Sequence, residues 1–198
     1  MDGQDDVREL LVRAARRAYR RGIQTGDGGN VSARVGPDSR SMIVTRSGTS
    51  LADCDADDFL ETDLSGNVLS GRGAPTREAF LHARIYETRP DVNAIVHCHA
   101  PYSIAVARSH ERIPQPTWHS RMKQPNGFPV IDVHHAAVPP QDWPRVGSVI
   151  AAGPSAPMAF VLRDHGLVAL GRDPIAAEHL AELVEETAMI AFLLGGSE

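Results

Sequence analysis

Three histidines are the residues of this chain best suited to metal chemistry. His97 and His99 end an apolar run, NAIVHCH (93–99), and His165 lies in RDHGLV (163–168). Alternate side chains of a strand share a face, so His97 and His99 would face one side and Cys98, as a buried small hydrophobe, the other. Three imidazoles leave one coordination position open, as in catalytic zinc sites. The sequence predicts one divalent ion bound by these histidines.

Each histidine motif also has a purely structural interpretation. A His-x-His pair can simply be two polar residues at a strand end. A lone histidine such as His165, beside Gly166, can be a turn residue bonded to the backbone. The two motifs support each other only if the fold brings them together.

Glu78 is the carboxylate that best matches a catalytic role. TREAFLHARIYETR (76–89) predicts a helix capped by Thr76 and ended by Pro90. A glutamate in the first turn stabilises the helix dipole, which is one explanation of this residue. If the helix start instead faces the metal, Glu78 becomes a general base beside an electrophilic ion. Both explanations stay open at this point.

Two short loops are candidate anion sites. GDGGN (26–30) is rich in glycine but lacks the lysine of a phosphate-binding P-loop and precedes a strand. Its backbone amides and Asn30 can still form a small anion nest. TRSG (45–48) follows a strand and offers a hydroxyl, a guanidinium and a free amide. Either loop alone is equally well explained as a turn.

The composition excludes several classes of protein and one class of chemistry. Lys123 is the only lysine and lies in RMKQPNGFP (121–129), which is predicted to be an exposed loop, so Schiff-base activation of a ketone is excluded. A net charge of −5 argues against nucleic-acid binding. No apolar run is long enough to span a membrane, the N-terminus lacks a signal-peptide pattern, and two cysteines make no disulfide framework. We expect a cytoplasmic protein.

Helical and strand-like segments alternate along the chain. Helices are predicted at 5–21, 76–89, 101–109, 140–153 and 173–194. Strands are predicted at 30–35, 41–45, 66–70, 93–99 and 127–134, with a strand–turn–strand unit at 156–170 and a loop at 111–127. This mixture predicts an α/β fold in one domain, residues 1–198, with helices packed over a mixed sheet.

Several segments, in the same order, resemble the class II aldolase/adducin family. GDGGNVSAR (26–34) is similar to its Gly-Asn-x-Ser segment, and IVTRSGTSL (43–51) to its Thr-x-Ser/Thr-Gly loop. Residues 75–107 resemble its longest signature, and 164–188 the block with its third histidine. The resemblance spans residues 7–194. It implies a three-layer α/β/α fold with a mixed, largely antiparallel central sheet.

The resemblance also implies roles for particular residues. His97, His99 and His165 would bind one divalent ion per chain, with Zn²⁺ expected and Mn²⁺, Co²⁺, Fe²⁺ or Ni²⁺ as alternatives. Glu78 would be the catalytic acid/base. A sugar phosphate would bind at Asn30, Ser47, Gly48 and Thr76.

The implied activity is that of a lyase similar to fuculose-1-phosphate aldolase. It would cleave a small sugar phosphate by retro-aldol chemistry through a metal-stabilised enediolate. The same metal site would also suit a decarboxylase, dehydratase or 4-epimerase of a related sugar-acid or ketose phosphate, and an adducin-like binding module is the non-catalytic alternative. The resemblance implies a homotetramer with active sites at subunit interfaces.

This chain departs from the family pattern at positions that bear on the substrate. Arg46 stands where proline is common, and Arg77 where fuculose-phosphate aldolases have a small hydroxyl residue. Each arginine would strengthen phosphate binding, bind a substrate carboxylate or face solvent. The proton-donor tyrosines of those aldolases have no evident counterpart, and Trp118 or His119 is expected in their place.

Overall fold

The computed structural model describes residues 3–36 and 39–195. Six α-helices follow one another as α1 (Gly3–Arg20), α2 (Ala79–Thr88), α3 (Pro101–Ala107), α4 (Trp118–Lys123), α5 (Trp143–Ile150) and α6 (Pro174–Leu193). Nine strands are β1 (Asn30–Arg34), β2 (Ser41–Thr45), β3 (Phe59–Asp63), β4 (Val68–Ser70), β5 (Ala94–Cys98), β6 (Arg112–Ile113), β7 (Phe128–Ile131), β8 (Ala159–Leu162) and β9 (Gly166–Gly171). A 3₁₀ turn, Ala56–Asp58, precedes β3.

The nine strands form one sheet in the order β4-β3-β2-β1-β5-β9-β8-β7-β6. Every neighbouring pair is antiparallel except β7 and β8, which are parallel. The predicted mixed, largely antiparallel sheet is therefore confirmed. β5 lies in the middle of the sheet, between β1 and β9, so the strand that carries His97 is covered on both edges.

Helices cover both faces of the sheet, which gives three layers. On one face, α1, α3 and α6 pack against residues such as Val96, Cys98 and Leu167. On the other face, α2 and α5 pack against residues such as Ile95 and Val168. The alternation of β5 side chains between the two layers follows from the period of two along a strand. Cys98 is buried in the first layer, as predicted.

Two predictions about local structure were wrong. Residues 111–127 were expected to be loop, but they contain β6 and α4. Thr117 caps α4 by accepting a hydrogen bond from the Ser120 amide, a local signal obscured by the surrounding prolines. β3 was not predicted, because its sequence FLETD has two acids on an otherwise apolar strand. It pairs with β2 along its whole length, and this pairing outweighs its composition.

The start of α2 also differs from the prediction. The helix begins at Ala79, and Glu78, in the N-cap position, makes no capping hydrogen bond with its side chain. Thr76 does not cap the helix either; its hydroxyl is 3.4 Å from the Glu78 backbone nitrogen, within a turn that precedes the helix. The Glu78 side chain therefore does not cap the helix.

Among residues 3–36 and 39–195, no helix combines the length and the apolar character needed to cross a bilayer.

Candidate metal centre

The fold brings the three predicted histidines together at the centre of the sheet. His97 is on β5, and His99 directly follows Cys98, the last residue of that strand. His165 lies in the turn between β8 and β9. The nearest ligand atoms of the three histidines all lie within 4.8 Å of one another. The cluster forms because β9 pairs with β5, which places Leu167 opposite Cys98.

The ring of His97 is held in one orientation by the backbone. Its Nδ1 lies 3.0 Å from the carbonyl oxygen of Leu167, and because a carbonyl only accepts, Nδ1 is the protonated nitrogen. Its Nε2 is buried and has no hydrogen-bond partner among the described residues. This arrangement, with one ring nitrogen bonded to a carbonyl and the other left as a bare lone pair, is typical of a metal-binding histidine. Gly166 permits it, since a Cβ there would lie 2.5 Å from the Cys98 carbonyl oxygen.

A glutamine that the sequence did not single out positions His99. The side chain of Gln24 is buried, and its Oε1 accepts a hydrogen bond of 2.8 Å from the His99 backbone amide. Gly29 packs against the same carboxamide, with a φ of 67° and no room for a Cβ, which would lie 2.5 Å from Gln24 Oε1. The glycine-rich loop is therefore built to approach the histidines closely. No local pattern marks Gln24, because its partner is 75 residues away.

The environment keeps the three imidazoles neutral. Burial, followed by the neighbouring His165 and His99, holds the pKa of His97 well below its usual range. Burial also lowers the pKa of His165 to about 4, and that of His99 below its ordinary value. Metal ligation requires the unprotonated nitrogen of a neutral imidazole. The cluster thus meets the protonation requirement of a metal site at neutral pH.

Glu78 faces this cluster from the start of α2. Its Oε1 lies 3.7 Å from His165 Nε2, and its side chain is 5% exposed. Neither carboxylate oxygen makes a hydrogen bond of normal geometry with the described residues. Burial raises the pKa of Glu78 to about 7, although the nearby Val138 amide and the charge of Arg77 both act to lower it. A carboxyl group with a pKa near neutrality is suited to accept and return a proton.

The histidines and Glu78 open into a cavity of about 450 Å³. One wall is made by the two loops that follow β2 and precede α2, which are joined by hydrogen bonds from Ser47 N to Ala74 O and from Thr76 N to Thr45 O. The glycine-rich loop 25–30 and Ala136 also line the cavity. The volume suits a small, polar molecule.

All four predicted phosphate-binding residues line this cavity. They are Asn30, Ser47, Gly48 and Thr76. The structure adds Thr49, whose buried hydroxyl, like the Oδ1 of Asn30, has no partner among the described residues. Thr49 was missed, although its position directly after Gly48 was a usable signal.

Arg46 and Arg77 also line the cavity, but in different states. Arg46 forms an ion pair with Asp58. Arg77 is exposed, and its guanidinium makes no hydrogen bond or ion pair with residues 3–36 or 39–195. Both arginines are exposed at the cavity, but Arg46 is already paired, so among the described residues Arg77 is the guanidinium that is free to bind an anion there.

Trp118 and His119 do not reach this cavity within one chain. Trp118 is 83% exposed, and His119 lines a separate surface cavity with Lys123 and His179. That one of them takes the place of the missing tyrosines stays a prediction, which would require the residue of a neighbouring subunit. Lys123 is exposed, as predicted, which keeps Schiff-base chemistry excluded.

Comparison with known proteins identifies the family. The sequence model of the class II aldolase and adducin N-terminal domain matches residues 9–192. The chain belongs to this family. Class II aldolases use a divalent metal, and the histidine cluster, in which His97 is buried, can bind one.

Relatives within the family carry different activities. The chain is 30% identical to the 3-oxo-tetronate 4-phosphate decarboxylase of Haemophilus influenzae, over 96% of this chain and 89% of the relative. It is 32% identical to the L-fuculose phosphate aldolase of Methanocaldococcus jannaschii, over 94% of this chain and 96% of the relative. Among solved structures, YgbL of Escherichia coli matches with a TM-score of 0.86 and 26% identity, covering 98% of this chain and 92% of that one; aldolase, epimerase and decarboxylase are named as its candidate activities.

The residues of this chain fit the metal that the family implies. Buried polar atoms without partners are rare in folded proteins, and here His97 Nε2, His165 Nδ1 and both Glu78 oxygens form one cluster of atoms that have no partner among the described residues. Three neutral nitrogens with an adjacent carboxylate are a donor set suited to Zn²⁺ and similar divalent ions. An ion would satisfy groups that the protein itself leaves unsatisfied.

Proposed function

We propose that this chain is a metal-dependent lyase that breaks a carbon–carbon bond of a small phosphorylated substrate, with Glu78 as the proton shuttle. The observation that carries the proposal is the buried Glu78 carboxylate, 3.7 Å from His165 and without a hydrogen bond of normal geometry to the described residues. Burying a carboxylate without hydrogen-bond partners costs free energy, and groups of this kind are concentrated at functional sites.

His97, His99 and His165 would hold the ion. A divalent ion at this position supplies Lewis-acid stabilisation of the negative charge that develops on substrate oxygens. Zinc is our first choice because nitrogen ligands and an open coordination position suit it. Manganese, cobalt, iron or nickel are the alternatives, which metal analysis of the purified protein would distinguish.

The loops of the cavity would bind the phosphate. Asn30, Ser47, Gly48 and Thr76 line the cavity and offer amide and hydroxyl donors. Binding a phosphate there would fix the substrate with its carbonyl towards the histidines and its reacting carbon towards Glu78. Phosphate binding would therefore give the substrate one defined orientation in the cavity.

Our first candidate reaction is retro-aldol cleavage, as in the fuculose phosphate aldolase relative. Glu78 accepts the proton of the substrate hydroxyl, the carbon–carbon bond breaks, and an aldehyde leaves. The bonding electrons pass towards the carbonyl and form an enediolate. Glu78 then delivers a proton to the enediolate carbon, which yields dihydroxyacetone phosphate.

The second candidate is decarboxylation of a phosphorylated 3-oxo acid, favoured by Arg46 and Arg77 in the cavity. Loss of CO₂ from 3-oxo-tetronate 4-phosphate leaves the same enediolate of dihydroxyacetone phosphate. The two reactions therefore differ in the fragment that leaves, and they share the proton delivery by Glu78. This common step explains how one arrangement of residues can serve both activities.

A substrate panel and isotope exchange test the proposal. Zinc-loaded protein should cleave L-fuculose 1-phosphate or 3-oxo-tetronate 4-phosphate, with release of an aldehyde or of CO₂. In D₂O it should also exchange one carbon-bound proton of dihydroxyacetone phosphate when no aldehyde is present. Protein that contains stoichiometric metal but shows neither cleavage nor exchange would contradict the proposal.

We also propose a homotetramer in the cytoplasm, on the family resemblance alone. Sedimentation that shows only active monomer at micromolar concentration would contradict the tetramer.

A further inference from the structure

We infer that Arg77 binds a carboxylate of the substrate, so that the enzyme acts on a phosphorylated sugar acid or oxo acid rather than on a neutral sugar phosphate. The inference rests on the proposed function and narrows its substrate class. The carboxylate is the part of the substrate that is lost in decarboxylation. Among the described residues that line the cavity, no other guanidinium or ammonium group is unpaired.

The state of the guanidinium is the first observation. Arg77 lines the cavity, is exposed, and has no hydrogen bond or ion pair with the described residues. Arg46, on the neighbouring loop, is already paired with Asp58. A guanidinium presents a planar fork of donors that matches a carboxylate in a bidentate arrangement. Arg77 is therefore the cation that is available to an incoming anion.

The position of Arg77 is the second observation. It directly precedes Glu78, and its charge acts on the Glu78 carboxylate. In the proposed reaction Glu78 serves the carbon from which the fragment leaves, so that fragment lies in the neighbourhood of Glu78. In a 3-oxo acid the departing fragment is the carboxylate. Arg77 thus lies at the carboxylate end of such a substrate.

The phosphate has its own set of partners in the cavity. Asn30, Ser47, Gly48 and Thr76 offer neutral donors, and Arg46 adjoins Ser47 in the same loop. A substrate with a phosphate at one end and a carboxylate at the other would use both groups of residues. A neutral sugar phosphate would leave the Arg77 guanidinium without a partner.

The chemistry of CO₂ loss predicts how Arg77 affects the kinetics. The carboxylate leaves as neutral CO₂, its bonding electrons remaining on the enediolate, so an ion pair to it weakens as the bond breaks. Arg77 should therefore stabilise the bound substrate more than the transition state. Arg77→Gln should raise KM for 3-oxo-tetronate 4-phosphate about 10- to 100-fold, with a much smaller change in kcat. KM for L-fuculose 1-phosphate, if it is cleaved, should change less than about threefold.

Binding of unreactive probes tests the inference without turnover. 3-Phosphoglycerate and glycerol 3-phosphate differ in a carboxylate against a hydroxymethyl group. Calorimetry on metal-free protein, where no ion attracts the carboxylate, should show tighter binding of 3-phosphoglycerate by about tenfold or more. Arg77→Gln should abolish this preference by weakening 3-phosphoglycerate alone, and Arg77→Lys should retain part of it. Arg13→Gln, which removes an exposed charge on α1, is the control for net charge.

The outcomes separate this inference from the proposed function. Equal binding of the two probes to the wild type, or a preference that survives in Arg77→Gln, would overturn the carboxylate role. Equal weakening of both probes would assign Arg77 to the phosphate and also overturn it. The expected probe preference in a protein that cleaves no substrate would support the Arg77 site while contradicting the lyase activity.

Discussion

The two ends of helix α2 hold buried polar groups in opposite states. At its C-terminal end Arg89 is 2% exposed and fully bonded: its guanidinium pairs with Asp91 at 2.7 and 2.8 Å and donates to the Pro157 carbonyl at 2.9 Å. At its N-terminal end Glu78 is 5% exposed, and its oxygens make no hydrogen bond of normal geometry in the described part of the chain. The two residues lie about three turns apart on one rigid element.

This difference separates groups that build the fold from groups that serve a ligand. Arg89 ties the end of α2 to the segment before β8, and its bonds compensate for the desolvation of its charge. Both Glu78 oxygens, His97 Nε2 and His165 Nδ1 lack such compensation within the described part of the protein, so we expect their partners to come from outside. Buried polar groups are therefore informative about function mainly where they lack partners.

Among the groups that lack partners, removal of the histidines should give the largest effect, a loss of metal binding. A His97→Ala/His165→Ala variant should lose stoichiometric metal on dialysis, with affinity lower by orders of magnitude, because two of three ligands are gone. Elemental analysis after dialysis checks this, with Arg89→Met as a variant that should retain its metal. Stoichiometric metal in the double variant would place the site elsewhere.

Glu78→Gln should separate catalysis from folding. As the proton shuttle, Glu78 should contribute about 10²–10⁴-fold to kcat, while metal content changes little and the protein stays folded. Glu87→Gln makes the same chemical change on the same helix, at a partly exposed residue paired with Arg84, and should leave kcat unchanged. Steady-state kinetics and proton exchange with dihydroxyacetone phosphate measure the effect. Unchanged exchange in Glu78→Gln would assign the proton transfer to another group.

Arg89→Met should lower the stability of the fold and leave the metal site intact. Loss of the guanidinium leaves buried carbonyls without donors, and we expect roughly 3 kcal/mol of destabilisation, since each unsatisfied buried group costs about 1–3 kcal/mol. Metal affinity should not change. Arg84→Met removes a half-buried arginine from the same helix, paired with Glu87 and stacked on Trp143, and should cost about 1 kcal/mol. Denaturant unfolding compares the two variants. Equal destabilisation would show that the buried hydrogen bonds of Arg89 contribute no more to stability than the contacts of Arg84.

The smallest expected effect is a pH dependence of the metal-free protein. The pKa of Glu78 is raised to about 7 by burial, so the folded state retains a proton that the unfolded state has released. The stability that this group contributes is present below the ordinary pKa of 4.5 and is lost as the pH rises through 7. As the pH rises from about 5 to about 7, the free energy of unfolding of Glu78→Gln should therefore increase by on the order of 1–2 kcal/mol relative to that of the wild type.

The stability contributed by the histidines changes with pH in the opposite direction, over part of the same pH range. The pKa of His165 is lowered to about 4 and that of His97 is also lowered, so their contribution to stability is lost as the pH falls below the ordinary value of 6.5. Because both proteins contain them, the difference between wild type and Glu78→Gln isolates the carboxyl group. Parallel stability curves over about pH 5 to 8 would show that the Glu78 pKa is not raised in the folded protein.

Local sequence alone determined the parts of the site that lie within one element. The His97–His99 pair and the burial of Cys98 on the opposite face follow from the period of two along a strand, which requires no knowledge of neighbours. The mixed α/β class follows in the same way from the alternation of periodic segments. The resemblance to the family then gave Glu78 and the four phosphate-binding candidates their expected roles, and all of them line one cavity.

Tertiary structure alone decided which of these groups meet and which have partners. His165 joins His97 because β9 pairs with β5, a contact between segments about 70 positions apart that no local pattern encodes. Gln24 reaches His99 across a similar distance, and β3 exists because β2 pairs with it. Whether Glu78 caps a helix or faces the histidines depends on how α2 packs on the sheet. Long-range packing sets burial and partners, and these decide whether a polar side chain builds the fold or serves the chemistry.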